Sequence, residues 1–240
     1  MKNFQYCFER YEKKYLLNNE EYLNILNEIA PYMAVDEYGK TAILSIYCDT
    51  DDWRLIRSSI EKPNYKEKLR LRSYGVPNSD STVFAELKKK CNGIVYKRRI
   101  ALPCSETDNL FKGSDSFGKF GQIGNELCWF QKTYRTQKKV MICYDRTAYF
   151  GLNDPAIRIT FDENLRFRTD RLDFRSGSDG EMLCSAPEIL MEIKIPAACP
   201  LWLSRILSKS NIFPTSFSKY GFFFCNKILN NHTKEAHFCA

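Results

Sequence analysis

Residues 65–75 read YKEKLRLRSYG, and this stretch restricts the possible folds more than any other. An extended chain has a side-chain period of two. Lys66, Lys68, Arg70 and Arg72 therefore line one face, and Glu67, Leu69 and Leu71 the other. The pattern recurs along the chain. Phe8, Arg10, Glu12 and Lys14 share a face in 6–15, and Glu86, Lys88 and Lys90 oppose Val83, Ala85 and Leu87. Lys97 and Arg99 share a face, and Arg146 shares one with Tyr144 and Ile142. Arg158, Thr160 and Asp162 oppose Ile157, Ile159 and Phe161, while Glu192 and Lys194 oppose Met191, Ile193 and Ile195.

A sheet with one dry face and one wet face accounts for any single strand. The set asks for more. Arg or Lys recurs at i, i+2 in most strands, with lone carboxylates between, and like charges directly opposite one another destabilise a sheet. A polyanion that neutralises the row explains the pattern. The net charge of +7 points to the same class of partner. Two geometries can present such a face: an open basic sheet, or a closed barrel with the cations inside and the apolar face packed under helices. Nucleic acid is set aside as partner, because the aromatic residues lie mostly on the apolar phase and not beside the basic rows.

The strand signals cover 6–17, 42–50, 64–75, 82–91, 93–102, 138–151, 156–162, 165–170 and 189–196, with Asn92-Gly93 as a hairpin turn. Helical spacing marks 18–33, 49–61, 121–134 and 200–211. The acids of "DTDD" (49–52) read as a helix N-terminus, not a metal cluster. Segments 76–82 and 104–121 read as loops, the second Gly/Ser-rich and mobile. Trp129, Phe130 and Trp202 read as helix-to-sheet packing, as do Tyr74, Tyr144 and Tyr220 around the barrel. Strands outnumber helices without a regular βαβ order, which predicts an α+β fold with a mainly antiparallel sheet. One domain is expected over 1–226, followed by a polar tail at 227–240.

No run of about 18 apolar residues is present, so no membrane span is expected in this chain. The N-terminal "MKNFQYCFERYEKK" meets charge at once and has no apolar signal core. The ten cysteines are scattered without C-x-x-C spacing. A cytoplasmic protein with reduced thiols is the resulting expectation. The two histidines, His232 and His237, lie in the tail, which argues against structural zinc.

In order along the chain, "RYEKKYLL", "YCDTDDWRLIRSSIEKPNYKEKLRLRSYG", "VFAELKKK", "GIVYKRRIAL", "YDRTAYFG", "IRITFD", "MEIKIP", "PLWLSRIL" and "PTSFSKYG" resemble the catalytic domain of the vacuolar transporter chaperone (VTC) polyphosphate polymerases. That family is part of the triphosphate tunnel metalloenzyme superfamily. The resemblance spans about residues 6 to 225. It implies a closed antiparallel β-barrel tunnel of about eight strands, with helices outside, binding triphosphate or polyphosphate along its axis. It implies catalytic roles for Arg70, Arg72, Lys88, Arg146 and Arg158, and phosphate binding by Arg10, Lys14, Lys97, Lys194 and Lys219. Glu192 in "MEIK" matches the family's metal-binding glutamate, with Glu86 as a second acid near the metal, which is Mn²⁺ or Mg²⁺. Asp162 is expected to orient Arg158.

The implied activity is transfer of the γ-phosphoryl group of ATP to a growing polyphosphate chain. A metal-dependent tripolyphosphate or nucleoside triphosphate hydrolase is the alternative, and non-catalytic polyphosphate binding a third. The hydrolytic branch opens with E-x-E-x-K, whereas this chain has Arg10, Glu12 and Lys14, with Arg in the first Glu position. That difference favours the polymerase-like branch. A polymerase needs no catalytic His or Ser, since its nucleophile is an already ionised phosphate oxygen. Hydrolysis needs a base such as Glu86 or Glu12. A separate membrane partner that receives the polymer is compatible with this reading.

Overall fold

A computed structural model describes residues 11–92, 94–112, 115–184, 188–196 and 198–230. Its strands are β1 (Tyr11–Leu17), β2 (Met33–Asp49), β3 (Tyr65–Tyr74), β4 (Thr82–Cys91), β5 (Ile94–Pro103), β6 (Gln137–Gly151), β7 (Arg158–Arg168), β8 (Glu181–Met182) and β9 (Ile189–Ile195). Its helices are α1 (Asn19–Ile29), α2 (Arg54–Ile60), α3 (Gly121–Tyr134), α4 (Leu201–Lys209) and α5 (Lys219–Phe223), the last running into a π-helical turn over Phe224–Leu229. None is long and apolar enough to cross a membrane.

The strands form one antiparallel sheet in the order β1-β9-β7-β6-β2-β3-β4-β5, with β8 paired to β7. The expected closed barrel is corrected here. Among the described residues β1 and β5 are not hydrogen-bonded to each other, so the ladder stays open. The sheet nevertheless curls strongly. Lys88 on β4 feels the charges of Glu12 and Lys14 on β1, although four strands separate β4 from β9, the neighbour of β1, in the ladder. The segment before α5 runs beside β1, with Lys14 bridged to Thr215 and its Nζ donating to the Phe217 carbonyl at 3.1 Å.

The outer face of the sheet is apolar and the helices cover it. Leu69, Leu71, Val83, Ala85 and Leu87 pack beneath Leu127 and Phe130 of α3. Tyr15, Ile159, Phe161, Met191 and Ile193 pack against Ile25 and Ile29 of α1 and Leu203 and Ile206 of α4. Asn18 starts α1 with a capping box, its Oδ1 accepting from Glu21 N at 2.9 Å while Glu21 accepts from Asn18 N at 2.8 Å. A third cluster lies on the inner face, where Ile43, Ile142, Leu165 and Phe167 meet Ile56 of α2 and Tyr220, Phe223 and Phe224 of α5 and its extension. One part of the inner face is therefore oily and the rest charged.

Several boundaries differ from the sequence reading. β2 begins at Met33, and its first half pairs with β6 across a bulge between Val35 and Lys40. Segments 156–162 and 165–170 join as β7. The interruption is a bulge, with Asn164 in the left-handed region at φ 52°. The expected mobile loop 104–121 instead holds two 3₁₀ turns, Cys104–Phe111 and Asp115–Phe120. Leu110 and Phe117 anchor them in the core. Gly124 explains the close fit, since a Cβ there would lie 1.8 Å from the Phe117 carbonyl oxygen. The last turn also runs past the expected start of the tail at 227. Phe130 is buried and Trp202 packs against the sheet cluster under α1 and α4 while stacking on Tyr32, but Trp129 is 56% exposed. The described cysteines are free thiols.

Candidate functional site

The register sets charges opposite one another on the inner face. Arg70 sits across from Glu86 on β4 and from Tyr47 on β2. Arg70 Nε donates to Glu86 Oε2 at 2.6 Å, and Lys97 Nζ lies 2.6 Å from Oε1. Arg72 approaches the same carboxylate at 3.9 Å, and its Nη2 donates to the Tyr144 hydroxyl at 3.0 Å. Burial alone would raise the Glu86 carboxyl, yet Arg70, Arg72 and Lys97 outweigh it and hold the group well below the usual range. Burial likewise opposes ionisation of the Tyr47 phenol. Arg70, Arg72 and Lys219 prevail there too, pulling it down to about 8.

A second network lies across β6, β7, β9 and β1. Arg146 donates to both oxygens of Asp162, from Nε at 2.5 Å and Nη2 at 2.7 Å, and its Nη2 also reaches Glu192 at 3.2 Å. Lys219 donates to Asp162 at 2.6 Å. Glu192 is further ringed by Lys194 at 3.3 Å and by Lys14 and Lys219, each at 3.6 Å. Burial would raise Glu192, but the cations, Lys219 foremost, hold it well below the ordinary range. Tyr144 joins the two networks. Beyond its bond from Arg72, its ring lies 4.4 Å from Lys219 Nζ and 5.3 Å from the Arg146 guanidinium carbon.

The placement of Lys219 depends on α5. Tyr220 stacks on Tyr47 with ring centres 4.6 Å apart, and its hydroxyl donates to Asp49 at 2.8 Å. Asp49 is fully buried and accepts from the backbone of Leu55 at 2.9 Å and Ile56 at 3.0 Å. The first acid of "DTDD" thus does cap α2, from the end of β2, and it also anchors α5.

A family model for the VTC domain matches residues 9–223. The chain belongs to the VTC domain family. Its fold is shared with a candidate adenylate cyclase of Bacillus halodurans, at TM-score 0.54 and 14% identity, covering 91% of this chain and 95% of that one. It is shared equally with HpAC1 of Hippeastrum, a candidate adenylyl cyclase with a dominant triphosphatase activity, at TM-score 0.54 and 13% identity over 90% of this chain and 96% of that one. These likenesses show a shared fold. No curated protein matches the chain.

Within this VTC domain the inner face brings together Arg70, Arg72, Lys88, Arg146, Lys14, Lys97, Lys194, Lys219, Glu192 and Glu86. Arg158 shares this face, opposite Lys194, but lies outside the two networks. It pairs with Asp36 at 3.3 Å and its side chain is 41% exposed. Asp162 holds Arg146 and Lys219, in contrast to the expected pairing with Arg158. Arg10 lies outside the described residues. Tyr47 and Tyr144 are polar members of the site that the sequence reading passed over or took as packing. The available signal was their phase, since Ser45 and Tyr47 alternate with Leu44, Ile46 and Cys48.

The two acids singled out for metal do not share one site. Among the described residues no group of three or more His, Cys, Asp or Glu side chains could hold a metal ion. Glu86 is 1% exposed and bonded to Arg70 and Lys97, which leaves it unsuited to a cation. Glu192 is likewise ringed by Arg146, Lys14, Lys194 and Lys219. What sets it apart is a second carboxylate, Glu12 on β1, which acts on it through space; one or two carboxylates suffice for a hard cation whose other ligands are phosphate and water oxygens.

Proposed function

We propose that this VTC domain transfers the γ-phosphoryl group of ATP to the end of a polyphosphate chain lying along the cationic inner face. Family and fold support phosphoryl transfer or hydrolysis on triphosphate or polyphosphate as the class of activity. The observation that carries the finer reading is the pairing of Glu86. Hydrolysis requires a base to activate water. Glu86 faces three cations and is held below the ordinary carboxylate range, so it is a poor proton acceptor. A polyphosphate end needs no such base, because its attacking oxygen is already ionised.

The chain's own residues then work by position and charge. Arg70, Arg72 and Arg146 are forks suited to phosphate oxygens, and Lys14, Lys97, Lys194 and Lys219 add point charges. Cations at i, i+2 stand about 6.5–7 Å apart, so a row of them meets an extended polyphosphate at intervals of roughly two phosphoryl groups. They hold donor and acceptor in line and neutralise the charge that builds on the transferring group and on the departing ADP. Mn²⁺ or Mg²⁺ held by Glu192 supplies further charge neutralisation on the phosphate oxygens when bound.

A second reading is metal-dependent hydrolysis of tripolyphosphate or nucleoside triphosphate. The half-exposed Glu12 at the channel and the triphosphatase activity of HpAC1 favour it. Incubating the purified chain with ATP and Mn²⁺ separates the readings. Long polyphosphate is the expected product. Free phosphate without polymer selects hydrolysis, and binding without turnover removes the enzyme reading.

A further inference from the structure

The row of cations on β3 contains two lysines that the phosphoryl-transfer scheme does not use, Lys66 and Lys68. Lys66 Nζ donates to the Ser59 carbonyl at 2.9 Å, at the end of α2, which is a structural contact. Lys68 has no comparable tether. Its Nζ reaches Ser218 Oγ at 3.4 Å and lies 6.0 Å from the centre of the Tyr220 ring. Directly across the ladder stands Lys88.

These two lysines differ from the other inner-face cations. Arg70, Arg72 and Lys97 share Glu86; Arg146 and Lys219 share Asp162; Lys14 and Lys194 share Glu192; Arg158 has Asp36. Among the described residues neither Lys68 nor Lys88 has a carboxylate oxygen within 4.0 Å. The titratable groups facing Lys68 are Tyr47 from β2, Lys66 on its own strand, Lys88 from β4 and Lys14 from β1, with Tyr220 of α5 alongside. Glu12 and Glu192 act on Lys88 only at longer range.

Resting on the reading of the inner face as a phosphate channel, we propose that Lys68 is a further substrate-binding residue. With Lys88 it forms a subsite for one phosphoryl group, and substrate binding brings a proton to Lys68 Nζ. Crowded ammonium groups with no counter-charge shed protons, and an arriving anion restores them. Burial pushes Lys68 down to about 8; Tyr47 opposes this, while Lys66, Lys88 and Lys14 add to it. The proton comes from solvent and converts amine to ammonium, and no bond of the substrate changes.

Calorimetric titration of the full chain with inorganic tripolyphosphate, without metal, tests this. The measurement is made at pH 8 in two buffers of different ionisation enthalpy. The difference in heat, corrected for the protons that tripolyphosphate itself exchanges at this pH, should report uptake of about half a proton by the parent chain. Lys68→Arg keeps the charge, so it should retain affinity within a few-fold and lose that uptake. Lys68→Gln should lose the uptake and bind about ten-fold more weakly, with its melting temperature unchanged or raised. Tyr47→Phe should keep the uptake, which separates the lysine from the phenol. Binding by the parent with no uptake, or unchanged uptake in Lys68→Arg, overturns the inference while leaving the channel intact. No binding by the parent overturns the channel reading itself.

Discussion

Arg146 and Asp162 face each other across β6 and β7 and meet through two parallel hydrogen bonds, 2.5 Å from Nε and 2.7 Å from Nη2. The carboxylate is fully buried, and Lys219 holds one of the same oxygens from α5. Asp162 is thus the fixed counter-charge that keeps two cations of the inner face in place.

Replacing it leaves Arg146 and Lys219 partly buried without their main partner. Asp162→Ala should therefore cost about 3–5 kcal/mol in urea unfolding, in line with breaking one side of a buried pair. A loss below about 1 kcal/mol would show that Glu192 alone can satisfy both cations.

Arg70 and Glu86 form the corresponding pair on β3 and β4. Arg70→Met should lower both stability and tripolyphosphate affinity, because it uncovers a buried carboxylate. Combining it with Glu86→Gln should recover most of the stability and none of the binding. A double-mutant cycle read by both unfolding and calorimetry separates the two effects. Recovery of binding in the double variant would show that Arg70 serves Glu86 and not the substrate.

The depressed carboxyls of Glu86, Asp162 and Glu192 set an acid limit. In the unfolded chain they titrate at about 4. Their contribution to stability is full above that value and is lost as pH falls through their lower folded values, because the unfolded chain then binds more protons. The melting temperature should fall steeply below about pH 4, and Glu86→Gln should flatten that slope. An unchanged slope would remove Glu86 from the acid response.

Tyr220→Phe removes the hydroxyl bonded to buried Asp49 while keeping the ring stacked on Tyr47. A stability loss of about 1–2 kcal/mol is expected from the lost bond. Weaker tripolyphosphate binding should accompany it, since α5 carries Lys219. Binding equal to the parent would show that α5 is held by its aromatic packing alone.

Phe117→Ala should cost about 3–5 kcal/mol, the loss typical of a buried phenylalanine. A negligible effect would restore the reading of 104–121 as a loop.

The alternation of charge in 65–75 was enough to place Arg70, Arg72 and their neighbours on one face, because a strand period of two leaves little choice. What it could not show was the cross-strand register. Arg70 lies opposite Glu86, and that relation turns an apparent row of repelling cations into ion pairs. The same gap explains Asp162, whose partner comes from β6 and not from its own strand. The segment 104–121 was misread for a different reason: its Gly and Ser content resembles a loop, and what orders it, the burial of Leu110 and Phe117 against a helix that Gly124 lets approach, depends on contacts outside the segment. Trp129 was misplaced because helical spacing cannot distinguish a residue at the edge of an apolar stripe from one at its centre.

The open ladder has one more effect. Among the described residues β5 pairs with β4 alone, which leaves its other side as a sheet edge. Such an edge invites a second molecule to add its own strand. Lys97, Arg98 and Arg99 stand consecutively along it. Charged side chains on an edge strand blunt such pairing, even where Glu86 and Glu126 engage Lys97 and Arg98 within the fold.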